Sequence, residues 1–212
     1  MRSFIESCNC KGSRPSGIVG NRLHSRPDLV GELLRNRHIA RFVIAPAGSG
    51  KSSIVFEYAS IMFAFKHVFW MDCTSPCFLR DLDSGCIFEE VLKADDEVQL
   101  LVCEDVPPLD PDRCAALDQL VDAFIERGCE FIATCSPSAG SFTNMQVESI
   151  KIGAHDLLLS DDEMSIEELH GTIGDDWRHT LTQCDRVACL RWSSDGAKTL
   201  LASIRDEQMH EE

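Results

Sequence analysis

One octapeptide, APAGSGKS at 45–52, constrains the fold of this chain more than any other stretch. It fits the pattern [AG]-x-x-x-x-G-K-[ST], follows an apolar run at 41–44 and precedes a helical pattern over 53–59. A strand, a glycine-rich loop and a helix in this order make an anion site, because loop N–H groups and the helix N-terminus both face a bound phosphate. The pattern therefore predicts a loop that binds a nucleoside triphosphate.

The residue types of this loop suit that chemistry. Glycine lets the backbone approach phosphate oxygens closely, Lys51 is expected to reach the outer phosphates of ATP, and the Ser52 hydroxyl is expected to ligate Mg²⁺. The predicted nucleotide contacts are Ala45, Pro46, Ala47, Gly48, Ser49, Gly50, Lys51, Ser52 and Ser53.

The charge of the chain narrows the function classes. Its 212 residues include 35 acidic and 20 basic side chains, a formal net charge of −15. Because affinity for nucleic-acid backbones comes mainly from clustered Lys and Arg, this chain is not expected to bind nucleic acid directly. No apolar run approaches the roughly 18 residues of a membrane span, and the N-terminus has no apolar signal core. We therefore expect a cytoplasmic protein with no membrane contact.

The cysteines are expected to be reduced. Their number, 11, is odd, and most lie within apolar segments, where a free thiol behaves as a small buried apolar group. Cys8 with Cys10, or Cys73 with Cys77, would offer half of a metal site. No second Cys/His pair has matching spacing, so zinc is not expected.

Apolar strands alternate with helices along the first three quarters of the chain. Strands that read as nearly continuous apolar runs predict an α/β fold with a parallel sheet covered on both faces. Expected strands are 41–44, 67–72, 98–105, 130–134 and 148–152, and expected helices are 27–36 with Ser25 as its cap, 53–59, the second half of 79–92, and 111–127.

After residue 157 the pattern indicates helices only, at 161–170, 175–184 and 195–205. We therefore predict a flexible tail at 1–24, a P-loop NTPase domain at 25–155 and a helical, lid-like segment at 156–212.

Two acids follow the third predicted strand. Glu104 and Asp105 come after four apolar residues, at the carboxyl edge of the sheet where such folds bind ligands. One acid is expected to hold the Mg²⁺ shell and the other to polarise the attacking water, and the pattern leaves open which does which. Asp72, which ends the second strand, is expected to be a solvated strand end.

Thr134 ends the fourth predicted strand. P-loop ATPases with an inserted catalytic strand often place a polar sensor of the γ-phosphate there, and Thr134 is the candidate for it. Capping of the following turn is the alternative role.

Five segments together resemble one family: RPDL at 26–29 with Leu33 and Leu34, IAPAGSGKS at 44–52, VFWMD at 68–72, LVCED at 101–105, and IGAHDL at 152–157 with an acidic helix at 161–169. They are similar to the N-terminal ATPase module of MalT-type, LuxR-family regulators, a branch of the STAND NTPases. The likeness covers about residues 26–170. It implies an AAA-like ATP switch that hydrolyses slowly and whose nucleotide state gates oligomerisation and transcription activation.

The chain departs from that family in two respects. Ser136-Pro137 stands where the family often carries an arginine, and the sequence ends at Glu212. Full-length members continue through a helical-repeat sensor to a C-terminal helix-turn-helix. The resemblance therefore implies a fragment, a truncated product or a stand-alone module, with self-association or those missing domains as its partners.

Two other functions remain open at this stage. A small-molecule kinase has a similar length and loop position, but it should carry an arginine-rich lid, and 156–212 is acidic. An inert adaptor that binds ATP without hydrolysis would fit the altered acid pair. Arg113 and Arg127 flank the helix after the third strand, and the pattern assigns both to a solvated face.

Overall fold

The computed structural model describes residues 25–47, 49–64, 67–86, 98–139 and 146–157. The predicted tail and the three predicted helices after residue 157 lie outside these ranges, as does Gly48 of the loop.

The described residues form helices and strands in alternation. In chain order they are α1 (Pro27–Arg35), β1 (Ala40–Ile44), α2 (Lys51–Phe63), β2 (Val68–Asp72), α3 (Pro76–Asp83), β3 (Leu100–Val106), α4 (Pro111–Glu126), β4 (Glu130–Cys135) and β5 (Ser149–Ile152). None of the described helices combines the length and the apolar character that a membrane crossing needs.

The five strands form one sheet in the order β2-β3-β4-β1-β5, and every neighbouring pair is parallel. One face packs against α1 and α2 through Val43 and Val102, and the other packs against α3 and α4 through Cys103 and Phe131. The predicted α/β fold is confirmed. β4 lies between the strand that precedes the loop and the strand that carries the two acids, so it is an inserted strand of the expected kind.

The helix starts follow from local chemistry, and one prediction about them was wrong. α3 begins at Pro76, because the Ser75 hydroxyl accepts from the Cys77 N–H and proline suits the first helical position. α3 was not predicted from the sequence, and the helix expected in the second half of 79–92 falls on residues that lie almost wholly outside the described ranges. Ser25 does not cap α1, because its hydroxyl donates to the Glu57 carboxylate on α2 instead.

A buried group of charged and aromatic side chains, Arg41, Tyr58 and Glu130, joins β1, α2 and β4 at the amino edge of the sheet; we call it the Arg41 cluster. The fully buried Arg41 guanidinium donates to Glu130 Oε2 at 2.8 Å, to the Leu33 carbonyl at 2.8 Å and to the Phe131 carbonyl at 3.2 Å. It also stacks 4.9 Å from the Tyr58 ring centre. The Tyr58 hydroxyl donates to Glu130, and burial is the main cause that raises the pKa of Tyr58 to about 12.

Candidate phosphate-binding site

The predicted phosphate loop connects β1 to α2 at the carboxyl edge of the sheet. Its first residue is tied to the inserted strand, because the Ala45 N–H donates to the Cys135 carbonyl at 3.1 Å. Gly50 has φ 95°, a left-handed conformation that glycine adopts without steric cost, and this turn leads directly into α2. The N–H groups of Ser53 and Ile54 return to the Gly50 carbonyl at 3.0 and 3.2 Å. The loop is thus closed against the start of its helix.

Lys51 lies inside this loop. Although it opens α2, its ammonium group donates to the Pro46 carbonyl at 3.2 Å and lies 3.6 Å from Asp105 Oδ1. The Lys51 side chain is only 6% exposed. A cation held at a helix N-terminus by one carbonyl and one carboxylate is a strong local attraction for an anion that reaches it.

The Ser49 hydroxyl is buried and, within the described part of the chain, accepts and donates no hydrogen bond. A buried hydroxyl without a partner costs about 1–3 kcal/mol, so native proteins rarely keep one without a use. Ser49 directly precedes Gly50, so this hydroxyl without a hydrogen-bond partner lies in the loop itself.

The remaining loop residues differ in exposure. Ala45 and Pro46 are buried, Ala47 is exposed, and Ser52 and Ser53 are half-buried on the first turn of α2. The two serine hydroxyls therefore lie at the helix end that faces the loop.

The two acids have different environments. Glu104 is half-buried and accepts a hydrogen bond from the Trp70 indole N–H at 2.7 Å. Asp105 is 48% exposed and is the acid that faces Lys51. Its φ of 52° is left-handed, and the pairing of β3 with β4 is irregular between Cys103 and Val106. Such a bulge redirects a side chain and often lies next to a functional site.

Thr134 supports this bulge. Its side chain is fully buried, and its hydroxyl oxygen accepts the Asp105 N–H at 2.9 Å. The next residue, Cys135, is also buried, and burial raises the pKa of its thiol to about 12. At neutral pH the thiol is therefore protonated, and it packs in the core as a neutral group.

Asp72 and Arg113, which were not expected to act in catalysis, have defined partners. Asp72 is exposed and accepts from the Thr74 N–H at 2.9 Å and from its hydroxyl at 2.6 Å, so it ends β2 with a local turn, as expected. Arg113 lies on a partly exposed face, as expected, and there forms a two-pronged ion pair with Asp83 at 2.8 and 2.7 Å and contacts Asp110 at 3.1 Å. Hydrogen bonding from Arg113 lowers the pKa of Asp83.

Sequence reasoning missed Trp70 as part of the site. It recognised β2 as a strand, but no sequence signal links an indole to an acid 34 residues later. Only the pairing of β2 with β3, which aligns Trp70 with Val102 and Asp72 with Glu104, brings the two side chains together.

No family model and no curated protein matches this chain. Among solved structures, AMPPCP-bound DnaA from Aquifex aeolicus matches with a TM-score of 0.43 at 14% identity, over 59% of this chain and 44% of that one. The replication initiator DnaA bound to AMPPCP and single-stranded DNA matches with a TM-score of 0.46 at 13% identity, over 91% and 61%. Domain III of the Thermotoga maritima protein matches with 0.44 at 12%, over 78% and 84%.

The chain thus spans less than two thirds of the length of the first two structures. At such identities the similarity concerns the fold alone, and none of the three is a MalT-type regulator. By its own strand order and by the loop between β1 and α2, the chain has a P-loop α/β fold.

Proposed function

We propose that this chain is an ATP-binding regulatory module that hydrolyses ATP slowly. The observation that carries the proposal is the position of Lys51, held inside the loop between the Pro46 carbonyl and Asp105 at the N-terminus of α2. The lysine ammonium is a compact point charge, so it would attract the phosphate oxygens of a bound triphosphate strongly. The unpartnered Ser49 hydroxyl adds a second polar group whose hydrogen-bonding need a ligand would meet.

In this proposal, the loop N–H groups and Lys51 hold the phosphates, and Ser52, Glu104 and Asp105 hold Mg²⁺. Hydroxyl and carboxylate oxygens are the ligands that Mg²⁺ prefers. Bound there, Mg²⁺ would draw charge from the phosphates. Thr134 keeps Asp105 in its left-handed position through the hydrogen bond to its N–H.

The expectation of slow turnover depends on which arginines could reach the γ-phosphate. An arginine directed at the γ-phosphate contributes about 10³–10⁵ in rate where one is present. Among the described arginines, Arg113 is engaged by Asp83, and Arg41 lies at the opposite edge of the sheet. We therefore infer turnover below the roughly 1–100 s⁻¹ typical of kinases.

The regulatory part of the proposal rests on the resemblance to MalT-type modules. It implies a nucleotide-gated switch that self-associates or acts on sensor and DNA-binding domains, in the cytoplasm. The kinase and the inert adaptor are the outcomes that would replace it.

Calorimetric titration with Mg-ATP tests the binding step. Wild type should bind, Lys51→Ala should bind at least about 30-fold more weakly, and Arg37→Ala should bind like wild type, because it removes an exposed cation in the turn after α1. Equal binding by wild type and Lys51→Ala would refute the site. Incubation with γ-labelled ATP then separates the three functions: slow phosphate release supports the switch, transfer to an acceptor indicates a kinase, and neither indicates an adaptor.

A further inference from the structure

The contact between Trp70 and Glu104 joins two neighbouring strands at the candidate site. The indole Nε1 lies 2.7 Å from Glu104 Oε2. Trp70 is only 4% exposed and belongs to the apolar cluster that packs beneath α2 with Val102 and Ile54. A donor whose ring is fixed by packing also fixes the direction of its N–H, and so it fixes the carboxylate that accepts from it.

The chemistry of this donor is specific. An indole N–H can only donate and carries no charge. It therefore orients the Glu104 carboxylate and leaves its full negative charge in place, with the second oxygen, Oε1, outside the hydrogen bond. By contrast, Asp105 faces the Lys51 ammonium, which offsets the charge of that acid. The two adjacent acids are thus held by a neutral donor and by a cation.

We propose that Trp70 is a positioning residue that orients Glu104 as the acid for the divalent cation of the nucleotide site. This inference rests on the proposed function. Glu104 accepts from a neutral donor and Asp105 faces a cation, so Glu104 is the better partner for Mg²⁺. Partners that orient metal ligands typically affect metal affinity about 10- to 100-fold. Trp70 acts through Glu104 and contacts no phosphate in this scheme.

The first test measures whether Mg²⁺ changes the environment of the Trp70 indole N–H. In a chain with ¹⁵N-labelled tryptophan, the three residues Trp70, Trp177 and Trp192 supply three indole N–H resonances, and Trp70→Phe assigns the one of interest. That resonance should shift in Glu104→Gln and on addition of Mg-ATP. It should shift less with ATP in EDTA. A Trp70 resonance that responds equally to ATP with and without Mg²⁺ would overturn the inference.

The second test measures the Mg²⁺ concentration that gives half-maximal ATP binding. Trp70→Phe and Glu104→Gln should each raise it about 10-fold or more. The double variant should add little to the larger single effect, because both remove one contact. ATP affinity in EDTA should stay within about twofold of wild type, and this control separates positioning from a general loss of structure.

The outcomes distinguish the two proposals. If wild type binds no ATP, the proposed function fails. If wild type binds ATP but Trp70→Phe leaves the Mg²⁺ requirement unchanged, or lowers affinity equally in EDTA, only the role of Trp70 is refuted.

Discussion

The charged side chains at the two edges of the same sheet have opposite environments. At the amino edge, Arg41 is fully buried and donates to Glu130 and to two carbonyls at normal hydrogen-bond distances. At the carboxyl edge, Lys51 and Asp105 are 3.6 Å apart, Asp105 has a left-handed backbone, and the Ser49 hydroxyl has no partner in the described residues. At the amino edge, the Arg41 guanidinium has its hydrogen-bond acceptors within the protein. At the carboxyl edge, polar groups remain that a ligand could bind.

This difference separates stability from binding. A buried ion pair whose partners are all in place is costly to break, because the remaining partner becomes an uncompensated buried charge. The pair of Lys51 with Asp105 contributes less to stability, because the Asp105 carboxylate is 48% exposed and solvent screens it. Substitutions at the two edges should therefore affect different measurements.

The largest effect is expected at the amino edge. Arg41→Ala should lower the free energy of unfolding by about 3–5 kcal/mol, because it leaves the Glu130 carboxylate, only 12% exposed, without its cation. Urea unfolding followed by circular dichroism measures this. Arg35→Ala, at an exposed position on α1, is the matched control and should change stability by less than about 0.5 kcal/mol. Equal stability of Arg41→Ala and wild type would remove the contrast between the edges.

The next effect is expected at the carboxyl edge and in a different quantity. Lys51→Ala should weaken Mg-ATP binding by about 2–5 kcal/mol, roughly 30-fold to several thousand-fold, while its urea midpoint stays near that of wild type. Calorimetry and urea unfolding on the same preparation check both statements. A large loss of stability in Lys51→Ala would mean that this edge also serves the fold.

A smaller effect should come from the backbone of Asp105. At φ 52° a glycine is unstrained and an alanine is not, so Asp105→Gly should be more stable than Asp105→Ala by about 1–2 kcal/mol. Thermal or urea unfolding of the two variants isolates this term, since both lose the carboxylate. ATP turnover should fall in both, and also in Asp105→Asn, whose side chain tolerates the left-handed region. An Asp105→Asn variant as active as wild type would exclude Asp105 from the chemistry.

The last effect, absent at neutral pH and confined to alkaline pH, is a pH dependence shared by both edges. The pKa values of Cys135 and Tyr58 are raised to about 12 from 9.0 and 10.0, mainly by burial. The unfolded chain therefore loses these protons first as pH rises, so the stabilisation is complete below about pH 9 and is lost between about pH 9 and 12. Urea unfolding at a series of alkaline pH values measures the decline. It should be shallower in Cys135→Ala with Tyr58→Phe, and a decline unchanged in that variant would contradict the assignment.

The part of the fold predicted from sequence was the part with local signals. Buried parallel strands read as apolar runs, so β3 was expected at 98–105 and is found at Leu100–Val106. The pattern of glycines and a lysine between the apolar run at 41–44 and the helical pattern at 53–59 predicted the position of the loop. The helix α3 was not predicted, although Ser75 and Pro76 form a recognisable cap at its start.

The rest depended on strand order and register, which no local pattern encodes. Arg41 finds Glu130 because β1 lies beside β4, and Trp70 finds Glu104 because β2 lies beside β3. The unequal environments of Glu104 and Asp105 come from the bulge in β3, so the two acids could be recognised from the sequence while their roles could not.

The strand order also has a consequence for synthesis and folding. Both neighbours of β1 are synthesised long after β1 itself, since Arg41 pairs with Ile132 on one side and with Ile150 on the other. Closing such long loops is entropically unfavourable and slows folding. A nascent chain that has not reached Cys135 leaves both edges of β1 unpaired, with Phe42 and Val43 available for wrong contacts. The loop of the candidate phosphate-binding site is therefore synthesised before β4 and β5, the strands that complete the sheet around it.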